Sequence, residues 1–165
     1  MLSKKMQKAL NDQINEELGS AYLYFSMSSW FKAQNLLGFS SWLVFQAQEE
    51  TKHALKIYEY LQDKNADVAL LALAAPRKSW KSAQEAFDDT LKHEQHITSR
   101  FNDLVSLAQS EKDHATNVFL NWFVSEQVEE EASAQAVVDK LKMVAAHPGG
   151  VYLVDREMAA RAAGG

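Results

Sequence analysis

Apolar residues recur at alternating steps of three and four along most of the chain, the spacing that puts them on one face of an α-helix. The stripe Leu10, Ile14, Glu17, Ala21, Tyr24, Ser28, Phe31 predicts a first helix over about residues 3–33, with Ser3 as its N-cap. A second stripe, Phe39, Leu43, Gln46, Glu50, His53, Ile57, Tyr60, predicts a helix over about 38–64. The connector Gln34-Asn35-Leu36-Leu37-Gly38 is short enough to force these two to lie antiparallel. Ser82-Ala83-Gln84-Glu85 fits a capping box and opens a third helix, about 82–109, with Phe87, Leu91, Glu94, Thr98, Phe101 and Val105 inward. Ser110-Glu111-Lys112-Asp113 reads as the start of a fourth, about 111–146, whose inner face is Phe119, Phe123, Gln127, Glu130, Ala134, Val137 and Leu141. His147-Pro148-Gly149-Gly150 ends it, and a last helix of about 151–160 is too short to stand alone and must dock on its own bundle or on another copy.

Residues 65–80 break the period. Asn65-Ala66-Asp67 stops the second helix and Pro76 blocks its continuation. Yet Val68, Leu70, Leu71, Leu73 and Trp80 make this connection apolar, so it is expected to lie along the bundle or in a subunit contact, and it can carry the chain back to the other end. The fold expected is all-α: a four-helix bundle with one long crossover and a short fifth C-terminal helix, a single domain over 1–165.

Composition changes this picture in three places. The absence of Cys rules out a thiolate metal site, so any metal must be held by Glu, Asp and His. A net charge of −5 argues against a general nucleic-acid binder. The first residues run straight into a polar amphipathic pattern, and no apolar run of about 18 residues occurs. A cytoplasmic protein without membrane contact is expected.

Each inward stripe carries one carboxylate: Glu17, Glu50, Glu94 and Glu130. The layout repeats, with 33 residues between Glu17 and Glu50 and 36 between Glu94 and Glu130, so all four should sit at similar depth. Glu50 and His53, three apart on the inner face, can reach one ion together. Four bare carboxylates in a core would each cost several kcal/mol, and the stripes hold no Lys or Arg to pair with them. Two divalent cations are the better explanation. A Glu from each of two helices and Glu-x-x-His from each of the other two is the known di-iron pattern of ferritin-like bundles. The fourth helix departs from it, with Gln127-Val128-Glu129-Glu130 where the symmetric version has Glu and His.

That departure carries a resemblance. From Met1 to about Ala160 the chain resembles the bacterial non-haem ferritins, 24-subunit iron-storage cages, in Asn15-Glu16-Glu17-Leu18, Ala47-Gln48-Glu49-Glu50-Thr51-Lys52-His53, Glu94-Gln95 and the run from Trp122 to Glu131. The resemblance implies a ferroxidase that oxidises Fe(II) with O2 or H2O2 and deposits Fe(III) mineral in the cage. One iron would take Glu17, Glu50 and His53, and the other Glu94, Glu130 and the bridging Glu50, with Gln127 beside it. It further implies a third iron site from Glu49, Glu126, Glu129 and Glu130, and a tyrosine beside the centre, Tyr24. Haem is not implied, because the second Glu-x-x-His is missing and Thr51 stands where the haem-binding cousins have Met.

The remaining candidates have plain readings. Trp42 and Trp122 read as packing, and Met27 and Met143 as core filler. His93, His96, His114 and His147 read as surface or helix-end residues. Two rivals stand beside iron storage: a non-storage di-iron oxidase or peroxidase on the same bundle, and a metal-free helical interaction module.

Overall fold

The computed structural model describes residues 2–147 and 149–162, of which 161 and 162 are described by backbone alone. Five helices follow in order: α1 (Lys4–Ala33), α2 (Leu37–Asp63), α3 (Ala83–Ser110), α4 (His114–Val144) and α5 (Gly150–Ala162). Ser3 caps α1 as expected, its Oγ accepting from Met6 N at 2.9 Å. At α3 the box is drawn one residue wider than its usual form. Ser82 Oγ accepts from Glu85 N, but the Glu85 carboxylate reaches back to Lys81 N rather than to the cap residue. The start of α4 corrects the expectation. Its cap is Asp113, not Ser110, with Oδ1 accepting from Thr116 N at 3.0 Å, and α3 runs through Ser110. Asn35, Asn65 and Lys112 adopt left-handed φ of 59°, 52° and 56°, and each helix before them closes with the paired carbonyl bonds of a Schellman turn. Pro148, part of the expected stop after α4, lies outside the described residues.

The crossover uses α1 as a rail. Near the start of α1, Asn11 Nδ2 donates to Asp67 O and Asn11 Oδ1 accepts from Ala69 N. Near its end, Ser26 Oγ donates to Arg77 O, and Trp80 is buried edge-on against Trp30. Those anchors are 15 residues apart on α1, or roughly 22 Å at 1.5 Å per residue, so the connection traverses much of the bundle. Leu70 and Leu71 on it stay exposed.

The core comes in two parts. One cluster packs Phe31, Phe39, Trp42, Phe87, Val137 and Leu141 at one end, with the aromatic centroids 5.0–5.7 Å apart. The other packs Met6, Leu10, Ile57, Leu61, Phe101, Leu120 and Phe123 at the opposite end. Burying side chains of this size is worth roughly 1.5–3 kcal/mol each, enough to support a polar layer between them. That layer falls between the clusters on each of the four long helices: Glu17 on α1, Glu50 and His53 on α2, Glu94 on α3, Gln127 and Glu130 on α4.

Helix α5 folds back on its own bundle, against α2 and α4, and Val154 and Met158 join the first cluster. The start of α2 has no side-chain cap of its own at Leu36. Buried Asp155 supplies one from α5, its Oδ1 accepting from Phe39 N at 2.8 Å. Gly38 permits the approach, since a Cβ there would stand 1.7 Å from Asp155 O. Among the described residues no helix is long and apolar enough to cross a membrane.

Candidate metal centre

The inward stripes placed most of the polar layer correctly. Glu17, Tyr24, Glu50, His53, Glu94 and Gln127 are all buried, at 2% exposure or less. Glu130 is half-buried, at the edge of the layer. On α3 the buried line runs through Thr90, Glu94, Ile97, Phe101 and Leu104, while Leu91, Thr98 and Val105 are half-buried. The two lines share Glu94 and Phe101, and steps of three and four allow either. Met27 is core as expected; Met143 is not, being 78% exposed.

Glu17, Glu50 and His53 converge from α1 and α2, with one ligand atom from each lying within 4.8 Å of the others. His53 Nδ1 stands 3.4 Å from Glu50 Oε2 and 3.6 Å from Glu17 Oε2. Donors around one ion at ~2.1 Å lie roughly 3–4 Å apart, so the spacing fits a single cation. Four atoms here are buried without a hydrogen-bond partner: Glu17 Oε2, both carboxylate oxygens of Glu50, and His53 Nδ1. Buried polar atoms are nearly always satisfied, so an orphaned set this dense asks for an ion. Hard oxygens and one imidazole suit iron, manganese or zinc. Among the described residues this is the only group of three or more such side chains that meets so closely.

Second-half residues stand differently. Glu94 accepts from the Tyr24 hydroxyl at one oxygen and from Gln127 Nε2 at 3.2 Å at the other. Gln127 also donates to Thr98 Oγ1, and Glu130 Oε2 accepts from Gln46 Nε2 at 2.7 Å. Of the expected third-site residues, Glu49 and Glu126 are half-buried and Glu129 is exposed, and Glu49 pairs with Lys52 at 2.5 Å.

Burial governs the protonation of the layer. It pushes the Glu50 carboxyl well above the carboxylate range, helped by Glu17 and Glu94, against the opposing pull of His53. Burial alone would drive the His53 imidazole down, but the Glu17 and Glu50 carboxylates outweigh it and hold the pKa at about 10. Glu94 is raised by burial to about 7, and Glu130 is raised by burial too. The buried Tyr24 hydroxyl is also pushed up, by desolvation first and then by Glu94.

Aromatic rings fix the imidazole. Trp122 and Phe123 meet His53 edge-on at 5.5 and 6.0 Å, and Lys56 Nζ sits 4.2 Å from the Trp122 ring. A cleft of about 360 Å³ lined by Glu49, Lys52, His53, Lys56, Glu59 and Trp122 opens beside the group. Two residues escaped the sequence reading. Gln13 is wholly buried and donates to Glu17 Oε1 at 2.6 Å; its signal was a position one turn before Glu17. His93 is half-buried rather than on the surface. Its Nε2 lies 2.6 Å from Ser20 Oγ and its ring packs edge-on against Tyr24, so burial and His96 lower its pKa.

The chain is similar in sequence and fold to known proteins. Residues 7–144 match the family model described as a ferritin-like domain. The bacterial non-heme ferritin of Campylobacter jejuni is 44% identical over 156 residues, covering 94% of this chain and 93% of that protein. Its counterpart in Staphylococcus haemolyticus is 40% identical over 161 residues, 98% and 97% of the two chains. The crystal structure of an open-pore ferritin from the archaeon Archaeoglobus fulgidus superposes with a TM-score of 0.95 at 43% identity, over 96% of this chain and 98% of that one. With a match in sequence and fold over nearly its whole length, the chain belongs to the ferritin family.

Proposed function

We propose that this protein stores iron: it oxidises Fe(II) at a di-iron centre inside each subunit and deposits the Fe(III) as an oxy-hydroxide mineral in the cavity of a cytoplasmic cage, which we take to have 24 subunits. The observation that carries the reading is the set of four orphaned polar atoms on Glu17, Glu50 and His53, a cradle built for a cation and costly without one.

In this reading Fe(II) is the substrate. The first ion takes Glu17, Glu50 and His53; the second takes Glu94, Glu130 and the shared Glu50, with Gln127 donating to Glu94 and to bound water or oxygen species. Holding two ions through one carboxylate lets two electrons leave together: two Fe(II) become two Fe(III), and one O2 with two protons becomes H2O2. Hard carboxylates hold Fe(II) loosely and tolerate Fe(III) once formed, so the product can move on. Glu94, with a pKa near 7, can hold or release a proton as an ion arrives, and Tyr24 orients it. Glu49, Glu126, Glu129 and Glu130 form the third site, a way station toward the mineral. No haem is required.

One observation favours the rival, a non-storage oxidase or peroxidase on the same bundle: α5 docks within its own subunit, so that helix alone does not call for copies. Assembly is supported instead by apolar surface, with Tyr152 and Leu153 exposed on α5 and Tyr22, Phe25, Leu70 and Leu71 on α1 and the crossover.

The test is aerobic Fe(II) oxidation followed by absorbance, with particle size on the same samples, for the native chain and for Glu50→Ala combined with His53→Ala. Rapid oxidation in large particles, lost in the double variant while the particles persist, is the expected result. Equal rates in both would mean that the polar layer is structural. Rapid oxidation by small particles would favour the rival.

A further inference from the structure

We propose that Gln13 and Arg100 form a positioning relay that leaves one oxygen of Glu17 for metal binding; this rests on the reading of the layer as a metal centre. Gln13 sits one turn before Glu17 on α1, is wholly buried, and donates from Nε2 to Glu17 Oε1 at 2.6 Å. From α3, the half-buried Arg100 donates through Nε to Gln13 Oε1 at 3.3 Å. A glutamine amide has an acceptor end and a donor end of nearly the same shape, so a neighbour must decide which way it faces. A guanidinium has donors only. It therefore turns the Gln13 carbonyl toward itself and the NH2 toward Glu17. With Oε1 engaged, Glu17 Oε2 is left without a hydrogen-bond partner, 3.6 Å from His53 Nδ1, and is the oxygen presented to an ion. Without Arg100 the carbonyl end of Gln13 loses its anchor, and the amide's hold on Glu17 Oε1 loosens.

The sign of the effect separates this from simple electrostatics. A guanidinium near a cation site repels the cation, so on Coulombic grounds removing it should tighten binding. Positioning demands the reverse. The experiment is an anaerobic Co(II) titration of the assembled full-length protein, following affinity and the visible band of the bound ion, in Gln13→Leu, Arg100→Leu, the double variant, Arg100→Lys and His53→Ala. Gln13→Leu and Arg100→Leu should each weaken the first ion by about 10- to 100-fold and alter its band, as loss of a ligand's hydrogen-bond partner does. The double variant should be no weaker than Gln13→Leu alone, because Arg100 acts only through that amide, and Arg100→Lys should restore most of the affinity. Unchanged or tighter binding in Arg100→Leu, or additive losses in the double variant, would overturn the proposal. Should Gln13→Leu not assemble, the half-exposed Arg100 pair of variants decides by the same sign. A native Co(II) band that survives His53→Ala would bring down the metal-centre reading itself, and the relay with it.

Discussion

In the half of the polar layer built by α1 and α2, both oxygens of Glu50, one of Glu17 and a nitrogen of His53 have no hydrogen-bond partner. In the half built by α3 and α4, each oxygen of Glu94 accepts a bond, from Tyr24 and from Gln127, and Glu130 accepts one from Gln46. Carboxylates on four similar helices, at the same height, thus sit in opposite states of satisfaction. An orphaned buried group costs about 1–3 kcal/mol, which the first half carries as folding strain and recovers when a cation arrives. The second half is already at rest, and an ion there must share or displace existing bonds. On the proposed reading, the first pair of helices is the half preorganised for a cation, and the second is the half that an ion would enter only by displacing existing bonds.

The largest expected effect is on metal affinity. In a Zn(II) titration by calorimetry, His53→Ala should weaken the tighter of two ions by more than about 100-fold, beyond what a change outside the ligand shell costs. Glu94→Gln should leave that ion in place and weaken only the second. Equal losses at both ions in both variants would show that the halves act as one indivisible site.

Next comes the pH dependence of stability in chelator, read as the midpoint of urea unfolding. Glu94 is raised from 4.5 to about 7, so its contribution is complete below pH 4.5 and is lost as pH rises through 7. His53 is raised from 6.5 to about 10, so its contribution is complete below 6.5 and is lost as pH rises through 10. The metal-free protein should weaken across both windows, by on the order of 3 kcal/mol for Glu94 if its whole shift is expressed. Glu94→Gln should flatten the lower window and His53→Ala the upper. A metal-free protein whose stability does not change from pH 5 to 10 would contradict the burial argument.

The smallest effects fall on single hydrogen bonds. Glu50→Gln removes a carboxyl that burial, Glu17 and Glu94 all disfavour, while Glu17 remains to face His53, and should stabilise the metal-free protein by about 1 kcal/mol. Gln46→Leu removes a donor from Glu130 and should cost about 1 kcal/mol. Thermal unfolding in chelator would compare them, and shifts of the same sign would erase the distinction between the halves.

What the sequence made legible follows from the range of its signals. Helical period alone brought Glu17, Glu50, His53, Glu94 and Gln127 inward, because a residue's face depends only on its own helix. Glu130 came out half-buried and Met143 exposed, because where the core ends on a face depends on the neighbouring helices. The Ser110 cap was misplaced for a local reason: three polar residues follow it, and only Asp113 is set where its carboxylate reaches Thr116 N. Gln13 was readable from its place one turn before Glu17 and went unread as a polar residue. His93 and Asp155 were not readable, since their burial depends on partners 73 and 116 residues away.

Asp155 also orders events in time. Helix α2 begins without a side-chain cap at Leu36, and the acceptor for one of its first backbone donors, Phe39 N, is encoded 116 residues later. Until α5 is made, Phe39 N lacks that acceptor and Gly38 has no α5 backbone against it. The helix that bears Glu50 and His53 is thus held at its origin by a segment encoded more than a hundred residues later, and the proposed metal cradle gains that support only in a chain whose translation has passed α5.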